Sequence, residues 1–388
     1  MNWVNHPEGL FRKTPPCWSS RSPESTRGHG LEPEDPARLG VLARPRPDRQ
    51  ARRSTSPKDS DDSSLPLPNP CHPLNSAPGP KPSSSRPANI GEGTPSSGAP
   101  PAAVLSGVND EPTADWNLEA GLDALDALGW KHVALRAADR THVDDMDDAA
   151  YARVVETVRR RGFAVTSYLS NLGKVPLDAD EAVWRNEADR ARRVMDPTRQ
   201  AGTRLVRVMG YRRGGIAGMD LIPESARRLG FLAGLASEAG LVLVIETIFH
   251  DWESVSGSAH GLRRVIESVG SPALKVAFDP GNIVGWGGEP ATMLDALAPH
   301  IADVHVKDCP GYGRRQDGYG LAGDGVCDYP RLFAELAAFG YQGPVTIEPH
   351  LRHHDAFHVS GVEPYLAAGR RTEQLVRAAG FQVITSPT

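Results

Sequence analysis

From about residue 102 onward the chain repeats one pattern: a short apolar, β-branched run, a turn, and a longer stretch with apolar residues at helical spacing. The strand-like runs fall at 104–108, 132–135, 164–169, 205–209, 241–245, 274–278, 302–306 and 345–347. Helix-like stretches occupy 118–128, 148–161, 181–201, 223–239, 259–269, 291–298, 329–339 and 364–379. Several of these end on a glycine (Gly129, Gly162, Gly202, Gly240, Gly270, Gly340, Gly380), where a left-handed helix cap is wanted. Eight strands alternating with eight helices in this length predict a (β/α)₈ TIM barrel over residues 102–388. A doubly wound open sheet fits less well, because no G-x-G-x-x-G follows the first strand.

The first hundred residues break the pattern. They hold 19 of the 34 prolines, are rich in Ser and Arg, and show no apolar periodicity. Such a segment buries too little surface to offset its conformational entropy, so residues 1–101 read as a disordered N-terminal tail. A docking arm would have this composition, and so would a start placed too far upstream, with Val104 or Val108 as the corresponding starts. The tail carries 13 Lys and Arg against 10 Asp and Glu, so of the formal net charge of −5, −8 belongs to the remainder. An acidic barrel argues against a nucleic-acid partner.

Four cysteines (Cys17, Cys71, Cys309, Cys327) show neither metal-ligand spacing nor a disulfide framework. No apolar run approaches the ~18–20 residues of a membrane span, and Met1–Pro7 lacks the apolar core of a signal peptide. A soluble, cytoplasmic protein is the expectation.

In a barrel of this type the chemistry collects at the C-terminal ends of the strands. Strand five runs into Glu246, strand six into Asp279 and strand eight into Glu348, while His305 and Lys307 lie near the end of strand seven. Alternation along a strand puts Asp303, His305 and Lys307 on one face. Polar groups aimed into a barrel are costly unless paired or bound to something. Carboxylates with one imidazole suit one divalent ion, Mn²⁺, Mg²⁺ or Co²⁺ first; Zn²⁺ also fits, although thiolates are missing from the set. Singly, each such residue is as readily a buried ion-pair partner or a helix cap. Four in succession favour the metal.

The segments Val-Ile-Glu246, Phe-Asp279-Pro-Gly-Asn282, Val-His305-Val-Lys307-Asp308 and Gly-Pro-Val-Thr-Ile-Glu348 resemble the xylose isomerase-like TIM barrels, most nearly the sugar phosphate isomerase/epimerase group. The stretch Gly323-Asp324-Gly325-Val326-Cys327-Asp328 is similar to that family's lead into its last strand. The resemblance implies that Glu246, Asp279, His305 and Glu348 bind the ion, and that Glu246 and Glu348 act as base and acid in a proton transfer through an enediolate. The implied substrate is a small sugar or polyol, a polyhydroxy ketone or its phosphate. A dehydratase of an inosose- or dehydroshikimate-like compound is the alternative chemistry, and a non-catalytic sugar-binding barrel the alternative class. Many members read Asp-x-x-His after strand six where this chain has Asn282, which can hydrogen-bond a hydroxyl but is a poor metal ligand. This departure also counts against the family's histidine-rich nuclease branch.

Around these stand further candidates for substrate contact: Lys307, Asn282, His250 and Glu253 with Trp252 in the fifth loop, and, for a phosphate or carboxylate, Arg207 on strand four with Arg314, Arg212, Arg213 and Arg315 in the rim loops. The run His350, His353, His354, His358 raises a second metal, but its spacing within a loop sets no geometry. Tyr168 reads as core. A homodimer is compatible with the fold class, though no residue pattern demands one.

Overall fold

A computed structural model describes residues 99–215, 221–248, 255–351, 353–354, 357–358 and 361–387. The expected tail, except for its last three residues, lies outside the described residues.

Eight parallel strands close a barrel: β1 (Ala102–Val108), β2 (His132–Leu135), β3 (Ala164–Tyr168), β4 (Leu205–Val208), β5 (Val242–Glu246), β6 (Leu274–Phe278), β7 (Ile301–Val306) and β8 (Gly343–Ile347). Each pairs with the next, and β8 returns to β1 over Ala103↔Gly343 to Gly107↔Ile347. Closure removes the sheet edges that an open α/β fold would leave. One strand of this sheet escaped the sequence reading. β9 (Gln382–Ile384) adds in parallel to the outer part of β1, from Ala102↔Gln382 to Val104↔Ile384. Its three residues are too few to show a period.

The principal helices are α1 (Leu118–Ala127), α2 (Asp148–Arg160), α3 (Glu181–Ala201), α4 (Ile222–Glu238), α5 (Ala259–Val269), α6 (Pro290–Leu297), α7 (Tyr329–Ala338) and α8 (Val362–Ala378). Their starts are chemically marked. The side chains of Asn117, Asp147, Asp180, Ser258 and Asp328 each accept a hydrogen bond from a first-turn backbone N–H of the helix that follows. Gly202 and Gly270 end α3 and α5 in the left-handed conformation, at φ 86° and 61°.

The layer between barrel and helices holds the apolar core, with Leu105, Val133, Val206, Leu243, Val276, Val304 and Val345 from the strands against Leu122, Leu229, Leu262, Leu294, Leu332 and Leu366 from the helices. Tyr168 is buried in this core and packs against Tyr151, ring centroids 6.1 Å apart. The barrel interior is polar by contrast: Ser106 bonds Thr166 across it at 2.8 Å, and Thr346 bonds Asp303 at 3.2 Å. Among the described residues no helix is long and apolar enough to cross a membrane.

Candidate active site

Strand register brings the four chelating candidates together. Glu246 lies beside Ala277, two residues before Asp279; Thr346 lies beside His305, two residues before Glu348. With a side-chain period of two, Glu246, Asp279, His305 and Glu348 all project into the C-terminal mouth. All four are buried, and one ligand atom from each lies within 4.8 Å of the others. His305 Nδ1 stands 3.3 Å from Glu246 Oε1 and 3.4 Å from Glu348 Oε2. Its Nε2 faces Asp303 Oδ2 at 3.6 Å.

Three carboxylates this close need positive charge among them. Lys307 Nζ contributes, 2.5 Å from Asp279 Oδ2 and 2.7 Å from Glu348 Oε2. Arg207 Nη1 contributes from β4, 3.3 Å from Glu246 Oε2. Arg207, expected on strand four as a possible phosphate or carboxylate binder, is therefore a buried partner of the cluster, because its inward position on β4 directs it at Glu246.

Burial alone would raise the carboxyl of Glu246, but Arg207 and the His305 ring overcome it and hold Glu246 down at about 2. Burial wins at Asp279, lifting it to about 6 against the pull of Lys307. At Glu348 burial loses to Lys307, His350 and His305, which keep the carboxyl well below its ordinary range. The His305 imidazole sits well above its ordinary value despite burial, because the carboxylates of Asp303, Glu246 and Glu348 surround it and favour its charged form.

The donor set fits a hard or borderline divalent ion. Asp303 would hold the Nε2 proton of His305, leaving Nδ1 to exchange its own proton for a cation facing Glu246 and Glu348. Asp279 serves in two ways: Oδ1 caps the short helix Pro280–Gly285 by accepting from Asn282 N at 2.9 Å, while Oδ2 faces the cluster. Asn282 donates to Glu246 Oε1 at 3.2 Å and lies 3.3 Å from the Tyr319 hydroxyl, so it joins the site as a hydrogen-bonding group.

A layer behind Glu348 was missed in the sequence. Arg136, just past β2, reaches Glu348 Oε1 at 2.6 Å with Nη1 and grips Asp110 with Nε and Nη2 at 2.7–3.0 Å; Glu111 lies 3.4 Å away. Asn109 accepts from the Arg136 backbone N–H at 3.0 Å and donates to Ala137 O at 2.6 Å. His350, in left-handed backbone at φ 49°, donates its N–H to Glu111 at 2.9 Å and brings Nε2 within 3.5 Å of Glu348. Reading the ends of β1 and β2 as closely as those of β5 to β8 would have exposed Asp110, Glu111 and Arg136. Glu111, Glu348 and His350 also converge closely enough for a cation. Arg136 also holds both of these carboxylates.

Other expectations divide. Arg314 is not brought to the cluster: its exposed guanidinium pairs with Asp317 at 2.6 Å, three residues along. Arg315 lies over the Trp286 ring, 4.0 Å from its centroid. His250, Trp252 and Glu253 lie outside the described residues, as do the side chains of His353, His354 and His358.

The Gly-Asp-Gly segment has a structural explanation. Buried Asp308 accepts from the backbone N–H groups of Cys309, Gly323, Gly325 and Cys327 at 2.8–3.1 Å, folding that loop against the end of β7. A Cβ at Gly325 would run into Cys309 O and the Asp308 carboxylate. Tyr329 donates to Lys307 O at 2.6 Å, anchoring the strand end that carries the lysine.

The comparisons agree with this architecture. The L-ribulose-5-phosphate 3-epimerase UlaE of Salmonella typhi is 28% identical over 207 residues, 50% of this chain and 68% of that protein. A solved L-ribulose 3-epimerase superposes with a TM-score of 0.57 at 18% identity, covering 71% of this chain and 95% of that one. The IOLI protein, solved with a bound zinc atom, superposes with a TM-score of 0.58 at 14% identity, covering 70% of this chain and 97% of the other. The family model for the xylose isomerase-like TIM barrel matches residues 122–372, and with the closed barrel this places the chain in the xylose isomerase-like TIM barrel family.

Proposed function

We propose that this protein is a divalent-metal-dependent sugar epimerase or isomerase that moves a proton at a carbon next to the carbonyl of a small polyhydroxy ketone. The observation that carries this reading is the convergence of Glu246 and Glu348 on His305 Nδ1, at 3.3 and 3.4 Å, with Asp279 completing a buried set. The similarity to an L-ribulose-5-phosphate 3-epimerase supports it.

Glu246, Asp279, His305 and Glu348 would hold the ion. When bound, a divalent cation supplies Lewis-acid polarisation of a carbonyl and acidifies the neighbouring C–H. Glu246 is the proton acceptor: its carboxylate is anionic, and its Arg207 contact is longer than the 2.6 and 2.7 Å contacts of Glu348. Glu348, held in one orientation by Arg136, Lys307 and His350, is the second proton-transfer group. Return of the proton to the other face gives an epimer, and return to the adjacent carbon gives an aldose–ketose shift. Asn282 is placed to hydrogen-bond a substrate hydroxyl.

The test uses the full chain in D₂O with Mn²⁺, Mg²⁺, Co²⁺ or Zn²⁺ and a panel of ketopentoses, ketohexoses and their phosphates. Solvent deuterium entering a substrate, lost by a factor of about 10² or more in Glu246→Gln or Glu348→Gln, is the expected result. Loss of water from the substrate would replace epimerisation by dehydration. Sugar binding without exchange or product would make the barrel a binding protein.

A further inference from the structure

Among the described residues, the buried cations around the chelating cluster are already committed to carboxylates or carbonyls, whereas Lys174 is not. Arg136 is spent on Asp110, Glu111 and Glu348; Arg207 on Glu246 and the Ser170 carbonyl; Lys307 on Asp279 and Glu348; Arg190 on Asp144 at 3.0 Å. Lys174 is half-buried, and the described structure shows no carboxylate or carbonyl partner for its ammonium. Its backbone is built in. Gly173 donates to Glu187 and accepts from Tyr211 N at 3.0 Å; Val175 accepts from Arg212 N at 3.1 Å. The loop after β3 is thus stitched to the loop after β4, and Lys174 is carried at the seam.

A second unsatisfied donor belongs to the same neighbourhood. His142 ends the hairpin pairing Ala137–Ala138 with Thr141–His142 after β2. Its Nδ1 accepts from Asp144 N at 3.2 Å, so the neutral ring carries its proton on Nε2. That Nε2 is buried with no hydrogen-bond partner, a costly state unless something else fills it. Burial first, then the fields of Arg207, Lys174 and Arg136, keep this ring neutral by lowering it to about 2. Burial, then Arg207, likewise lower Lys174 to about 8. Asp144, whose N–H bonds the His142 ring, accepts in turn from Asn171 N at 2.7 Å, so the turn carrying His142 is tied to the loop that carries Lys174 three residues further on.

We infer that Lys174 and His142 form an oxyanion subsite, which takes the phosphate or carboxylate end of the substrate while the carbonyl end lies at Glu246 and Glu348. The inference rests on the proposed enzyme reading for its substrate, but the subsite itself stands on two unpartnered donors. Loop β3 and strand β5 are two strands apart, about 10 Å along the rim at ~4.8 Å per strand. A short sugar chain spans that gap. The subsite selects ketoses with an anionic terminus over neutral ones.

The experiment is calorimetric titration of the metal-free full chain with inorganic phosphate and, separately, with acetate, beside Lys174→Met and Lys174→Gln. Millimolar binding of either anion to the wild type, weakened tenfold or more in both variants, is expected. Phosphate alone binding identifies a phosphoryl terminus, and acetate alone a carboxylate. Equal affinity in wild type and variants, or no binding of either anion by the wild type, overturns the subsite. Mn²⁺ titration of the same samples keeps the two readings apart. Failure of the wild type to bind Mn²⁺, Mg²⁺, Co²⁺ or Zn²⁺ would sink the metal-dependent function while leaving the anion result to stand.

Discussion

Arg136 Nη1 lies 2.6 Å from Glu348 Oε1, and the same guanidinium holds Asp110 through Nε and Nη2. One cation from β2 thereby fixes the orientation of a carboxylate from β8, on the far side of β1. Removing it leaves Asp110, Glu111 and Glu348 as a buried anionic trio.

Arg136→Met is therefore expected to destabilise the fold by about 3–5 kcal/mol, the usual result of breaking a buried ion pair from one side. Urea unfolding measures it. Arg136→Lys retains a charge but loses the fork on Asp110, so it falls between wild type and Met. A loss below about 1 kcal/mol for Met would mean the trio is solvated or protonated rather than held by Arg136.

Asp303→Asn tests whether the His305 ring is poised as a ligand. With Asp303 3.6 Å from Nε2, the amide weakens the hold on the Nε2 proton and on the ring orientation. Divalent-ion affinity is expected to fall roughly 10–100-fold, read by titration with Mn²⁺. Unchanged affinity would remove His305 Nδ1 from the proposed ligand set.

Ion binding is also expected to raise thermal stability, because the unfolded chain has no assembled site. A free concentration one hundred times the dissociation constant adds about 2.7 kcal/mol. Melting curves with EDTA and with each ion measure this. Asp279→Asn should abolish most of the shift, and a shift that survives that substitution would assign the stabilisation to another site.

Gly325→Ala is expected to cost about 1–3 kcal/mol, since the added methyl must displace the Cys309 carbonyl or Asp308. Because Asp308 carries four backbone N–H groups of this loop, the variant should also speed amide exchange at Gly323, Gly325 and Cys327. Wild-type exchange at these positions would show that the loop is held elsewhere.

The period of apolar positions and the terminal glycines were enough to specify eight strand–helix units and hence the barrel. Local backbone preference and burial on both strand faces act within single segments, so they are legible without contacts. Glu246, Asp279, His305 and Glu348 were legible for the same reason: each ends a strand, and the fold class says where strand ends meet. What the tertiary structure alone decided is which charges neutralise which. Arg207 on strand four looked like an anion-binder until the barrel put it beside Glu246, and Arg314 in the rim until its loop turned it to Asp317. Arg136, Asp110 and Glu111 joined Glu348 only through closure of β8 onto β1. Lys174 and His142 stand apart because, among the described residues, Glu246 is held by Arg207 and Asp144 by Arg190. Such pairings depend on distances of a few ångströms between segments far apart in the chain, and Coulomb energies at that range are invisible to any pattern of neighbours in sequence.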